Sequence, residues 1–365
     1  MEKYKTVRLG DVVEIKTGRL DANAADIDGL YPFYTCADIP LRINKVLGDY
    51  ECILLIGNGA NTGKVFHNKG PFNAYQRTYI LKPTRIENCR YLYWFLNFKT
   101  KYFLTRSIGS ATNYIKLGDI TRLLIPLYKA SEQNSIVSSL DFISSIITKH
   151  KQLLNKYDEL IKSRFIEMFG DPITNPMGWK KDSIEKFTDI ISGYPFDSSK
   201  YTETGIKICG GLIIMPNNIQ WKDCKYWKEI EGFEDYLLEA KDIVIAMDRP
   251  WISDGFKIAE IKNNDLPVLL IQRTARIRCK EINNKYLYWI FNLGNFDKHC
   301  KVTGSLVPHI SLKDIKSFEI PIPPIELQND FASFVQQIDK SKFAVQKSLE
   351  KAETLYKSLM QQYFA

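Results

Sequence analysis

The sequence predicts a mixed α/β (α+β) protein in which one plan is used twice: two similar α/β units, each followed by a long helix. Three observations predict it. Over residues 132–169, Ile136, Leu140, Ile143, Ile147, His150, Leu154, Tyr157, Ile161, Arg164 and Met168 follow steps that alternate between four and three. That is the heptad seam of a helix packed along a partner helix. The stretch holds no Gly and no Pro, and a helix of about 57 Å at the usual rise per residue cannot bury its stripe inside one small domain. It needs a partner of equal length. The same seam returns 195 residues on, at Phe331, Val335, Ile338, Lys342, Val345, Leu349, Ala352, Tyr356, Leu359 and Tyr363. Finally, GSATNYIKLGDI at 109–120 recurs as GSLVPHISLKDI at 304–315, and YLYWFL at 91–96 as YLYWIF at 286–291. The expected organisation is a first unit over 1–131, its helix over 132–170, a second unit over 171–325 and its helix over 326–365.

Within the first unit, 7–15 is a short amphipathic element leading into Lys16-Thr17-Gly18. Residues 52–56, CILLI, read as a buried strand closed by a glycine-rich turn over 57–63. Further strands are expected over 64–66, 72–75 and 77–81, the last ended by Pro83. Residues 91–96 read as a short buried helix, and 120–127 as a final strand before the long helix. The second unit repeats this, with an opening over 184–191, a buried strand over 243–247, another over 269–277 and a short helix over 286–291. Pro172, Pro176 and Gly178 form the linker between the two. The frames agree at the borders of the units and diverge in the middle, 17–75 against 193–270. A duplicated scaffold with divergent interiors suggests two sites of similar architecture and different specificity. His150, Arg164 and Lys342 interrupt the seams, as polar residues that fix helix register do.

At 365 residues the chain is long enough for two domains with their own cores. No run approaches the 18 or so apolar residues of a membrane span, and the start is polar, so a cytoplasmic protein is expected. Seven cysteines without a CxxC fit reduced core residues. The net charge of +8 lies wholly in residues 1–130, which carry 19 Lys/Arg against 11 Asp/Glu; 170–325 is balanced at 21 against 21. A basic first unit suits a polyanion such as nucleic acid.

Catalytic chemistry is not signalled. Residues 57–64 miss the GxxxxGK[ST] phosphate loop, because Asn58 stands where Gly is required and Val65 where Ser or Thr is. They miss GxGxxG too, Gly63 falling one residue late, so a turn after a strand is the reading. The four histidines form no HExxH and no pair at ligand spacing, GxSxG is absent, and 320–324 lacks the Asn or Asp of a methyltransferase NPPF or DPPY run. No catalytic residue, metal or cofactor is expected. The side chains suited to DNA are present: Arg bridges guanine O6 and N7, Asn and Gln bridge adenine N6 and N7, and Lys holds phosphates. The candidates are Asn58, Asn61, Lys64, Arg77, Arg106, Asn113 and Lys116 in the first unit. In the second they are Arg249, Trp251, Lys257, Arg273, Arg276, Lys301 and His309. Arg77 and Arg273 follow Gln76 and Gln272 at nearly the repeat offset, so they are also candidates for holding the scaffold.

The doubled GSATNYIKLGDI and GSLVPHISLKDI segments, the IPLYKASEQ and IPIPPIELQ runs and the long helix after each resemble the specificity subunits of type I restriction-modification systems. The resemblance covers essentially the whole chain. It implies that each α/β unit is a target recognition domain reading one half of a split site in double-stranded DNA. It implies that the helices form an antiparallel coiled coil that rules the gap between the halves, in a pseudo-twofold arrangement. It further implies a non-catalytic subunit whose partners are modification subunits, expected to be two, and a restriction subunit. S-adenosylmethionine, ATP and Mg would belong to those partners. A balanced second unit departs from a uniformly basic reader. The rival readings are the recognition subunit of a related fused methyltransferase-nuclease system and a protein–protein scaffold that binds no DNA.

Overall fold

The computed structural model describes residues 4–107, 113–302 and 308–365, so residues 109–112 and 304–307 of the repeated glycine segments lie outside the described residues. The chain forms two compact units, one of residues 1–152 with 346–365 and one of residues 153–345. The long helices Ala130–Phe169 and Ile325–Phe364 are each unbroken over 40 residues and contribute to both units.

In the first unit the antiparallel pair Lys5–Arg8 and Leu124–Leu127 closes the ends of the α/β segment. The central sheet runs Val13–Thr17, Thr78–Pro83, Cys52–Ile56, Val65–Asn68, antiparallel throughout. Cys52–Ile56 is buried along its whole length, because both faces are covered. One face meets the helix Cys89–Phe98 and the long helices, the other a second sheet containing Tyr31–Tyr34 and Pro71–Ala74. The sequence gives that strand no polar alternation, as a two-sided strand requires.

The second unit has the same central order: Thr188–Ser192, Thr274–Cys279, Ile243–Ala246, Ile258–Glu260. Lys181–Ser183 pairs with Glu319–Pro321 as the closing pair. The common plan extends into the divergent middle, where the parallel pairing of Tyr31–Tyr34 with Pro71–Ala74 has its counterpart in Ile206–Cys209 with Val268–Leu270. Two short hairpins, Ile214–Met215 with Asn218–Ile219 and Trp251–Ile252 with Gly255–Phe256, occur in the second unit.

Two sequence expectations change. Residues 120–121, expected to open the final strand, instead end a helix, Leu117–Thr121, because the Asp119 carboxylate accepts the Lys116 N–H (3.3 Å) and caps a helical turn, and the strand is Leu124–Leu127. The expected strand 269–277 is two, Val268–Leu270 and Thr274–Cys279, split by a turn in which Arg273 has φ +64°.

Each unit contains an antiparallel stretch of the helix pair. In the first, the Tyr128 hydroxyl donates to the Tyr363 carbonyl (3.2 Å) and Lys151 pairs with Glu353 (2.9 Å), while Ile136, Leu140, Met360 and Phe364 share one core. In the second, Asp158 pairs with Lys342 (2.6 Å), and the Phe165 and Phe169 rings lie 5.4 and 5.5 Å from Phe331. All twenty predicted seam positions are buried or half-buried, and the polar interruption Lys342 is satisfied by Asp158 across the pair. Helix and head are joined by a repeated amide clamp. Buried Gln133 accepts from the Asn88 N–H (3.2 Å) and donates to the Tyr128 carbonyl (2.9 Å); buried Gln328 does the same with Asn283 (2.9 Å) and Pro323 (2.8 Å). Asn88 and Asn283 cap the short helices that follow them. The EQ and LQ of the border motifs are thus the pins that fix each α/β segment to the start of its helix. All seven cysteines are free. Among the described residues no helix is long and apolar enough to cross a membrane.

Candidate nucleic-acid interface

In each unit three separate segments converge at one end of the central sheet, held by backbone hydrogen bonds. In the first unit they are 57–59, 76–77 and 113–115. The Gly57 N–H donates to the Arg77 carbonyl (3.0 Å), the Ile115 N–H to Gly57 (2.8 Å) and the Gly59 N–H to Asn113 (3.0 Å). Thr62 locks the turn by donating its hydroxyl to the Gly59 carbonyl (2.6 Å), and the Tyr79 hydroxyl holds the Ile115 carbonyl (2.9 Å). A Cβ on Gly57 would meet the Arg77 carbonyl oxygen at 2.3 Å, and Gly59 has φ +87°. The glycine-rich stretch is therefore a close-approach turn.

The second unit builds the same corner from 247–249, 272–273 and 308–310. Met247 donates to the Arg273 carbonyl (2.9 Å), Ile310 to Met247 (3.0 Å) and Arg249 to Pro308 (2.7 Å). The bridge between Asn58 and Tyr114 corresponds to that between Asp248 and His309. Here the offset is 190 on the strand side (Asn58 against Asp248) and 195 on the other, so an alignment at one fixed offset loses the correspondence.

The corner gathers Asn58, Arg77 and Asn113 in the first unit and Arg249, Arg273 and His309 in the second. Arg77, Asn113, Arg249 and Arg273 are exposed. The Asn58 Oδ1 is buried without a hydrogen-bond partner. Arg77 and Arg273 are bound into the frame through their carbonyls, and their side chains are exposed, that of Arg273 with its Nε 4.0 Å from the Asp248 carboxylate. Asn61 and Lys64 are committed elsewhere: Asn61 donates to the Cys36 carbonyl (2.9 Å) and Lys64 bonds Asp38, so both tie the 36–38 loop to the turn. Arg106 is exposed at the end of Thr100–Arg106 with its guanidinium 4.9 Å from the Tyr102 ring centroid, and Lys116 is exposed ahead of Leu117–Thr121. Trp251 is half-buried and stacks on Phe256 (5.3 Å), while Lys301 is exposed.

Lys257 and Arg276 are interior residues. Lys257 donates to the Gly211 carbonyl and Arg276 bonds Asp189; both are largely buried, and burial lowers the pKa of each. Neither presents its charge to a ligand. The corner also brings in Tyr114 and Asp248, which are not among the candidates, and Gln76 and Gln272, which the sequence marks only as the residues before Arg77 and Arg273, at equivalent places in the QR turns. Their signal was adjacency to a repeated segment rather than any motif.

Among the described residues one group has donors close enough for a metal, Glu51, His67 and Cys89, within 4.8 Å of one another. His67 is already bonded to Glu51 (2.8 Å), Arg90 lies 3.4 Å from its other ring nitrogen, and burial pushes the Cys89 thiol up to about 12. The Arg90 guanidinium beside His67 and the His67–Glu51 bond suit a hydrogen-bonded cluster.

Comparison with known proteins agrees with the doubled fold. The family model described as the type I restriction modification DNA specificity domain matches residues 1–157 and 176–353. The type I restriction enzyme EcoDI specificity subunit of Escherichia coli is 26% identical over 99% of this chain and 87% of its own length. The MjaVIII specificity subunit of Methanocaldococcus jannaschii is 24% identical over 98% and 91%. The crystal structure of a type I S subunit from M. genitalium superposes with a TM-score of 0.64 at 16% identity, covering 99% of this chain and 96% of that one. With both halves matched by one family model, the chain belongs to the type I restriction-modification DNA specificity family.

Proposed function

We propose that the two backbone-built corners are the DNA-reading surfaces, each contacting one half of a bipartite site in double-stranded DNA. The observation that carries this is the pairing of an invariant frame with different side chains. Equivalent backbone bonds hold three segments together in both units, while Asn58, Gly59 and Tyr114 are replaced by Asp248, Arg249 and His309. A reader of two different half-sites needs that combination, since phosphate contacts set position and side chains at base edges set sequence. The retained contact residues are Asn58, Arg77, Asn113, Arg249, Arg273 and His309, with Arg106, Lys116 and Lys301 as phosphate anchors beside them.

The chain contributes no catalysis in this reading. It holds two modification subunits, which methylate adenine, and a restriction subunit against the site. The two 40-residue helices act as the spacer. Deleting one heptad from each would shorten the rods by about 10 Å at the helical rise, equivalent to about 3 bp of duplex at its usual axial spacing. Mapping methylated adenines in cells carrying that variant tests the spacer. The expected result is a gap shorter by that amount with both half-sites unchanged; the same gap as wild type refutes it.

A further inference from the structure

We propose that the corner of the second unit reads a G·C base pair, with Arg249 and Arg273 on the guanine and Asp248 facing the cytosine, and that the first unit has no equivalent of the Arg249 contact. This rests on the DNA-reading role argued above.

The position of Arg249 is the starting point. Its N–H donates to Pro308 as that of Gly59 does to Asn113, so the two residues are structural equivalents. In the first unit the place is held by a glycine with φ +87°; in the second an arginine holds it with φ +45°. L-residues with a Cβ enter that region at an energetic cost, and glycine is the default there. Arg273 is a second non-glycine residue in the same region, at φ +64°, whereas its counterpart Arg77 is not. Two arginines of one corner in left-handed backbone, both exposed, indicate side chains kept for what they contact rather than for the fold.

The class of ligand follows from their neighbour. The Asp248 carboxylate lies 4.0 Å from the Arg273 Nε, and the unit is charge-balanced. A carboxylate inside the cluster repels phosphate, which removes the main alternative use of an arginine pair. It does not oppose an uncharged base edge. The Arg fork matches guanine O6 and N7, and an Asp carboxylate accepts from cytosine N4. The Arg273–Asp248 couple therefore carries the donors and the acceptor that complement the O6/N7 acceptors and the N4 donor of one G·C pair in the major groove. With Arg273 more than half exposed the ion pair is weak, so it orients the fork without consuming it.

The test uses the full chain assembled with its modification partner. Sequences are selected from randomised duplex DNA with wild type, Arg249→Gly and Arg273→Ala. Arg249→Gly installs the residue that the first unit already uses and relieves the strained backbone, so loss of folding does not confound it. The expected result is a half-site with an obligatory G·C pair. Replacing that guanine by 7-deazaguanine should weaken wild-type binding about tenfold or more. In Arg249→Gly and Arg273→Ala the G·C requirement should relax in that half-site alone. A wild-type site without any such pair, or variants that keep the full requirement, overturns the proposal and leaves DNA reading intact. Absence of any selected sequence refutes the DNA-reading role itself, and this proposal with it.

Discussion

The two α/β segments carry different side chains on a corner whose backbone bonds they share. Both place a QR turn, a strand end and a return segment in one corner through equivalent backbone bonds. Yet one corner is finished with Asn58, Gly59 and Tyr114, and the other with Asp248, Arg249 and His309. The comparison teaches that the corner's shape is held by main-chain hydrogen bonds common to both units. The exposed side chains at its tip are thereby free to differ. Frame and proposed specificity thus fall to different atoms of the same residues: Arg77 and Arg273 give their carbonyls to the frame while their side chains stay exposed, that of Arg273 beside Asp248.

The sameness of the frames can be broken most severely at Gly18 and Gly193. A Cβ would meet the Ala74 carbonyl oxygen at 1.9 Å in one and the Ile271 carbonyl oxygen at 2.2 Å in the other. Alanine at either position should destabilise its own unit by about 3 kcal/mol, the upper range for forced overpacking, read as a lower urea midpoint. A large effect in one unit and none in the other would show that the frames are not equivalent. Next in size are the clamps. Gln133→Ala and Gln328→Ala each leave an N–H and a carbonyl at the buried end of the clamp without their partner, and each should cost about 1 kcal/mol, since most of these groups are only half-buried. Equal losses in chemical unfolding support a common attachment of segment to helix; unequal ones make it specific to one unit. The smallest effect sharpens the difference between frame and tip. Lys257→Met should lower stability by less than about 1 kcal/mol, because it orphans the Gly211 carbonyl alone, and should leave DNA affinity in a filter-binding titration unchanged. A fall in affinity at constant stability would return Lys257 to the reading surface.

The rods were legible because heptad spacing is periodic over ten positions and survives without any knowledge of the fold. The border motifs were legible because they repeat. The clamp explains the repetition, since Gln133 and Gln328 each make the same two bonds. What was not legible was which side chains point inward. Arg276 lies on Thr274–Cys279, where Ala275 and Ile277 face one core; alternation alone would turn Arg276 to solvent. A second packed layer covers that other face as well, and Arg276 stands opposite Val244 within it. Lys257 is hidden for the same reason. The corner itself escaped because the offset slips from 195 to 190 inside the unit, so Gly59 and Arg249 do not align at the repeat distance. Only the backbone pairing of Asn58 with Tyr114 and of Asp248 with His309 restores the match.

The interleaving of the long helices sets an order in time. Residues 153–345 form one contiguous unit, but the core around Tyr91, Phe95 and Ile136 also needs Met360 and Phe364, more than two hundred positions downstream. A ribosome delivers residues in sequence, and domains tend to close as they emerge. The unit translated first is therefore completed last, waiting with an open apolar face until the far helix has been synthesised.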